Sequence, residues 1–354
     1  MKRKKILSWS LAMAISLLLC GGGISYAKVT GVCSNCHTMH NSQDGAALAS
    51  GPNELLLIGG CVGCHTGTND GGATPYVMST IIPNYGDNTL AGGNFWWVST
   101  DCAGEHCGDA KGHNVLGIAT QDTNLAAAPG AEVLCANSCH LSLAVAQTAE
   151  STMGSGCQGC HLNVMHHADD SSGYVDASPW YRFLSGHSSG AGQGVKGIED
   201  SDWQFTKGFG DHNEYLGYVG DKDGPYGLDD YTMTGFCCGC HGNFHEQDAS
   251  AGGASPWLRH PSDFVIPNSG EYASMSTSYN VNTPVARSAA SMTALGGAPG
   301  STVAAGTDMV MCLSCHVAHG SPNDDMLRWN YSTIDAGGGS NTTGCFVCHT
   351  TKDD

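Results

Sequence analysis

Cys33-Ser34-Asn35-Cys36-His37-Thr38-Met39-His40 is the stretch on which the reading of this chain turns, because the same chemistry returns along the sequence and most of what lies between the returns is spacer. Two cysteines three positions apart, followed at once by a histidine, read as a covalent haem attachment: the sulfurs form thioethers to the porphyrin and the histidine meets its iron. The motif recurs at Cys61-Cys64-His65, Cys157-Cys160-His161, Cys237-Cys240-His241, Cys312-Cys315-His316 and Cys345-Cys348-His349. Cys135-Cys139-His140 is a variant one residue longer, in which Ala136-Asn137-Ser138 must make a wider loop. A lone copy would read equally well as a structural zinc site or a redox dithiol. Zinc sites, however, bring paired C-x-x-C knuckles without a histidine fixed behind each second cysteine, and here there are seven copies.

The N-terminus sets the compartment. Lys2, Arg3, Lys4 and Lys5 precede an apolar run from Ile6 to Leu19, and Ser25-Tyr26-Ala27 is a small-x-small cleavage site. Residues 1–27 therefore read as a secretory signal peptide, too short and wrongly flanked for a membrane span. Cys20 raises a lipoprotein alternative, against which Leu19 is bulkier than the residue usual before a lipidated cysteine. Export places the product in the periplasm, on the outer-membrane surface or outside the cell.

Residues 28–354 then form one domain carrying seven attachment sites, about 47 residues for each, too few for an ordinary core. The macrocycles must supply much of the buried apolar surface. Glycine numbers 50 of 354 residues, roughly double ordinary usage, which lets backbone turn tightly against flat rings. The expected fold is a multihaem cytochrome c of mostly irregular coil, with short helices around a linear haem array and little sheet. Beyond residue 27 only ten Lys and Arg face 32 Asp and Glu, which excludes nucleic-acid binding, since phosphate contacts need clustered cations.

Between the motifs, Phe95-Trp96-Trp97-Val98 reads as a strand-like patch, Cys102 and Cys107 as a local disulfide favoured by the oxidising compartment, and Ser274 to Thr307 as a loop or linker filling surface. Cys157 to His167 is followed by Ala-Ser-Pro-Trp at 177–180, and Cys237 to His245 by the same tetrapeptide at 254–257. The terminal pairs, Cys33 to Thr66 and Cys312 to Thr350, also echo each other, which suggests an array of haem-pair modules.

Seven of the 17 histidines belong to motifs, and the other ten suffice to cap every iron from its second side. Histidine opposite histidine keeps a reduction potential low. His40, His245 and His319 follow their motif histidines by three or four positions, on one face if the segment is helical, so each must reach a different haem. His166 and His167 read as one ligand between them, His167 being the one assigned. His106, His113, His187, His212 and His260 stand in loops.

The run from Cys33 to Gln43, Lys111-Gly112-His113-Asn114, Asp211-His212-Asn213-Glu214-Tyr215, Trp257-Leu258-Arg259-His260-Pro261 and the run from Cys312 to Ser321 closely resemble the extracellular multihaem cytochromes of metal-reducing bacteria, nearest to their filament-forming OmcE and OmcS types. The resemblance covers nearly the whole exported chain. It implies distal roles for His113, His212 and His260, with His106 and His187 spare, and donation of His40 to a haem of the next molecule. This chain departs from the filament members in having more attachment sites and a longer motif at Cys135.

The function expected is electron transfer through seven covalently bound, bis-histidine haems, with no substrate chemistry. Its expected partners are further copies of itself joined head-to-tail through His40, other cytochromes, and extracellular acceptors such as metal oxides. Two alternatives share the motifs. A multihaem reductase of a small oxyanion needs an open iron position and basic residues to steer the anion; a monomeric periplasmic shuttle needs no assembly.

Overall fold

The computed structural model describes residues 29, 31–48, 53–125, 127–131, 142–145, 156–161, 164, 166–167, 181–184, 194–218, 231–244, 260–338 and 342–352. Residues 1–27, read above as a signal peptide, the longer motif at Cys135, Cys139 and His140, His187, His245 and both Ala-Ser-Pro-Trp repeats lie outside them.

Most of the described chain is irregular backbone, turns and single turns of helix, with little sheet. A hairpin pairs β1 (Ser42–Gln43) with β2 (Ala46–Ala47). A second sheet gathers five strands of two or three residues: β3 (Gly197–Ile198), β4 (Glu214–Leu216), β5 (Phe264–Val265), β6 (Ala286–Arg287) and β7 (Met309–Val310), in the order β3-β4-β6-β7-β5. The β4–β6 pair is parallel and the others antiparallel. Among the described residues three short α-helices accompany them: α1 (Cys61–Cys64), α2 (Met233–Cys238) and α3 (Ala289–Leu295). No helix among the described residues is long and apolar enough to cross a membrane.

The apolar interior is broken into small clusters, and three of them touch an attachment cysteine. Tyr181, Val195, Tyr215, Met233, Ala286, Met309, Met311 and Leu313 pack around the sheet with Cys237 against them. Phe95, Val98, Val115 and Ile118 pack beside Cys157, and Ile266, Tyr279, Val285 and Val303 beside Cys348. Thin clusters beside the motif cysteines are what a chain with so few residues per motif can build.

Phe95–Val98 is a turn of 3-10 helix rather than a strand, with all four side chains buried. A short apolar run does not distinguish the two by pattern; Asn94 decides the matter by accepting a hydrogen bond from Trp96 N–H (2.9 Å) as an N-cap. The same Oδ1 accepts from Ser79 N–H and the Nδ2 donates to Ser79 Oγ, all within the protein interior. Asn94→Ala should therefore cost about 2 kcal/mol, read as a lowered midpoint in chemical denaturation.

Ser274 to Thr307, read as surface filler, carries β6, α3 and part of the core. Ala286 and Met292 are fully buried, as are most of Tyr279, Val285 and Val303. Ser288 caps α3 by accepting from Ser291 N–H, and Gly296 ends it in the left-handed region at φ 64°. The small residues mark close packing: a Cβ added at Gly217 would meet Ala286 Cβ at 2.9 Å and Met309 Sδ at 2.8 Å.

The expected disulfide between Cys102 and Cys107 is present. It closes the loop between the aromatic turn and Lys111-Gly112-His113.

Candidate haem-binding centres

Every described attachment motif is a self-closed turn. The backbone N–H of the motif histidine donates to the carbonyl of the first cysteine at His37→Cys33 (2.8 Å), His65→Cys61 (2.9 Å), His161→Cys157 (2.8 Å), His241→Cys237 (3.1 Å), His316→Cys312 (3.1 Å) and His349→Cys345 (3.0 Å). One helical turn over five residues places both sulfurs and the imidazole on neighbouring positions of a single short spool.

Each ring is then oriented by its Nδ1. That nitrogen faces a backbone carbonyl in His37 (Leu55, 3.1 Å), His65 (Pro75, 2.8 Å), His161 (Phe183, 2.8 Å), His241 (Pro129, 2.7 Å) and His316 (Asp325, 2.7 Å). A carbonyl only accepts, so the proton sits on Nδ1 and the lone pair on Nε2 is left for a metal. Burial holds His113, His161 and His316 below the usual imidazole range, His241 at about 4 and His319 at about 3. Neutral imidazole is the form that binds iron.

The ring positions carry the strongest signal. His37 and His167 have centroids 6.2 Å apart, as do His65 and His166, His161 and His319, and His241 and His113; His349 and His260 are 6.0 Å apart. In every pair one member belongs to a motif and the other does not. An imidazole nitrogen binds a metal ion at about 2 Å and lies roughly 1 Å from its ring centre, so two imidazoles capping one ion have centroids about 6 Å apart. The donor set therefore fits haem iron.

His166 and His167, read as one ligand between them, face two different motif histidines. Neighbouring residues in a turn send their side chains apart, and His166 is fixed by Arg182 Nη2 donating to its carbonyl (2.8 Å) and by the Phe183 ring at 5.6 Å. His319, three residues after His316, likewise turns to His161.

Glycine contacts bring these distant segments together. Gly320 bridges to both Gly93 and Gly112; Gly93 has φ +80°, and a Cβ there would collide with the Gly320 carbonyl oxygen. His319 N–H donates to Gly92 O (2.7 Å) and the Nδ1 of His113 lies 2.6 Å from Ala318 O. The loop bearing His113 and the tail of the Cys312 motif thus run side by side while their rings reach separate partners.

His212 departs from the role implied by resemblance. It is fully buried, its Nδ1 faces Gly208 O (2.9 Å), its Nε2 faces Glu214 Oε1 (3.2 Å), and its ring lies 3.7 Å from that of Tyr279. Glu214 in turn accepts from Arg287 Nε (2.8 Å) and Gly300 N–H (2.7 Å), and Arg287 Nη1 donates to Asp308 (2.5 Å). Burial alone would raise the Glu214 carboxyl, but hydrogen bonds from His212 and Arg287 hold it below its ordinary range. This is a buried ionic brace for the sheet. His106 is exposed beside Glu105; His40 is exposed at φ 57° just before the β1–β2 hairpin. Neither His40 nor His316 faces another imidazole among the described residues.

The six described motifs adjoin in chain order. Burial and then Cys36 push the Cys64 thiol up; the Cys61 and Cys157 thiols hydrogen-bond each other. Burial and then Cys240 push Cys160 up to about 12; Cys237 and Cys312 hydrogen-bond; burial and then Cys345 and Cys348 push Cys315 up to about 12. The row runs from the Cys33 site to the Cys345 site.

Comparison with known proteins agrees with this chemistry. Residues 302–354 match the family model described as a doubled CXXCH motif. The C-type cytochrome OmcS of Geobacter sulfurreducens is 27% identical over 405 residues, covering 95% of this chain and 89% of that protein. Two solved structures align with the fold, the outer membrane cytochrome S filament (TM-score 0.47, 19% identity, 93% of each chain) and the OmcS nanowires (TM-score 0.47, 21% identity, 92% and 91%), both from the same organism.

Proposed function

From a chain that resembles the OmcS-type multihaem c-type cytochromes along nearly its whole length, we propose that it is an exported electron conduit holding seven haems c, each gripped by two cysteines and capped by two histidines. The observation that carries this reading is the set of five imidazole pairs at 6.0–6.2 Å, each joining a motif histidine to a histidine from elsewhere.

The cysteine pairs at 33/36, 61/64, 135/139, 157/160, 237/240, 312/315 and 345/348 hold the groups, and His37, His65, His140, His161, His241, His316 and His349 are the proximal ligands. The distal ligands follow the pairs: His167 for the Cys33 site, His166 for Cys61, His319 for Cys157, His113 for Cys237 and His260 for Cys345. His245, a distal candidate from the sequence, and the Cys135 site both lie outside the described residues. His166 takes the place that resemblance gave to His212. Haem would supply reversible one-electron chemistry when bound; the protein fixes spacing, orients imidazoles through their Nδ1 contacts, and with two histidines at each site would leave no open position for a substrate.

Of the described histidines, His40, His106, His212 and His316 face no other imidazole. His212 is held by Glu214 and Tyr279, and His316 is the one described motif histidine among the four. The exposed His40 is the one that the resemblance gives to a neighbouring copy, which supports its donation to the Cys312 site there. The contact is head-to-tail and does not close on itself, so a filament follows. Electrons then pass to other cytochromes or to extracellular acceptors such as metal oxides at the cell surface. His40→Met should shorten or abolish polymers in negative-stain images while peptide mass spectrometry still finds seven covalent haems. Unchanged polymers would remove His40 from the role, and bare thiols at the motifs would remove the whole reading.

A further inference from the structure

The contacts behind the axial histidines are not uniform. Five motif histidines place Nδ1 against a neutral backbone carbonyl, whereas His349 places it 3.3 Å from Oε1 of Glu271, a carboxylate. Glu271 is anchored for this. It lies in the 3-10 turn Gly270–Tyr272; Thr350, next to His349, donates both its N–H (2.9 Å) and its hydroxyl (2.6 Å) to the Glu271 carbonyl. The Tyr272 ring packs 5.2 Å from that of His349, and Lys352 Nζ lies 3.3 Å from the other carboxylate oxygen, Oε2. At the opposite extreme, His319, which faces His161, has no acceptor at its Nδ1 and packs its ring 4.7 Å from Phe95.

A carboxylate pulls the Nδ1 proton harder than a carbonyl does, lends the ring imidazolate character and makes Nε2 a more basic ligand. A more basic axial ligand and a fixed negative charge beside the site both favour the ferric state. We propose that Glu271 is a potential-setting residue, making the haem at Cys345 and Cys348 the lowest-potential member of the described row, so that electrons run from this end toward the carbonyl-backed sites. Each transfer moves one electron, oxidising one iron as the next is reduced, and needs no proton or further reactant. This inference rests on the haem reading above.

The test is a spectroelectrochemical titration of the full haem-loaded chain and two variants. Glu271→Gln keeps an oxygen near Nδ1 but removes the charge, and should move the lowest one-electron transition upward while the others stay in place. Lys352→Gln removes the cation that competes for the same carboxylate, and should move that transition downward. A merely structural role for the contact would shift both variants the same way. An unmoved lowest transition in Glu271→Gln, or an upward shift in both variants, overturns the proposal while leaving the haem reading intact. Absence of covalent haem on the peptide bearing Cys345 and Cys348 in the parent protein overturns both.

Discussion

Replacing His166 with alanine is expected to turn one haem from low-spin to high-spin iron, with the covalent haem count unchanged. The His166 ring stands 6.2 Å from His65 and nearly parallel to it, at 24°, its backbone is pinned by Arg182, and no other imidazole among the described residues faces His65. His167→Ala should do the same at the Cys33 site, and the double variant should convert two haems. If the adjacent histidines shared one role, the double variant would convert no more than one. Electron paramagnetic resonance counts the high-spin irons, and added free imidazole should restore the low-spin signal in each variant, which a folding defect would prevent.

The second large effect concerns stability. Arg287→Met should cost about 3–5 kcal/mol, because it leaves Glu214 and Asp308 buried as uncompensated charges. Removing one partner of such a brace is far more damaging than replacing all of it. Hydrogen exchange of the Tyr215, Leu216 and Ala286 amides reads the loss directly, since these residues belong to the strands the brace joins. His212→Gln, in the same network, should leave every haem low-spin; a new high-spin signal would return His212 to the ligand set.

These two sites also mark how far the sequence can be read. The attachment motifs are legible because their chemistry is local: five consecutive residues contain both sulfurs, the imidazole and the hydrogen bond that closes the turn. The distal histidines are not, because their pairing is made by contacts remote in sequence. His319 reaches His161 and His113 reaches His241 through backbones that meet at Gly93, Gly112 and Gly320, and nothing in the spacing of these residues announces that meeting. Adjacency misled at His166 and His167, where two neighbours face two different motif histidines. Motif resemblance misled at His212, whose flanking Glu214 finds Arg287 on another strand and converts a ligand-like loop into a core. Small residues misled between Ser274 and Thr307, where closeness of packing, rather than looseness, selects alanine and glycine.

The self-closed turns have a practical consequence. Each prosthetic group is fastened by bonds that do not depend on the sheet, so melting the strands would leave the polypeptide fully pigmented and at full mass while scattering the distances between its redox centres. Colour is therefore a poor witness to nativeness here; a preparation can look intact and insulate.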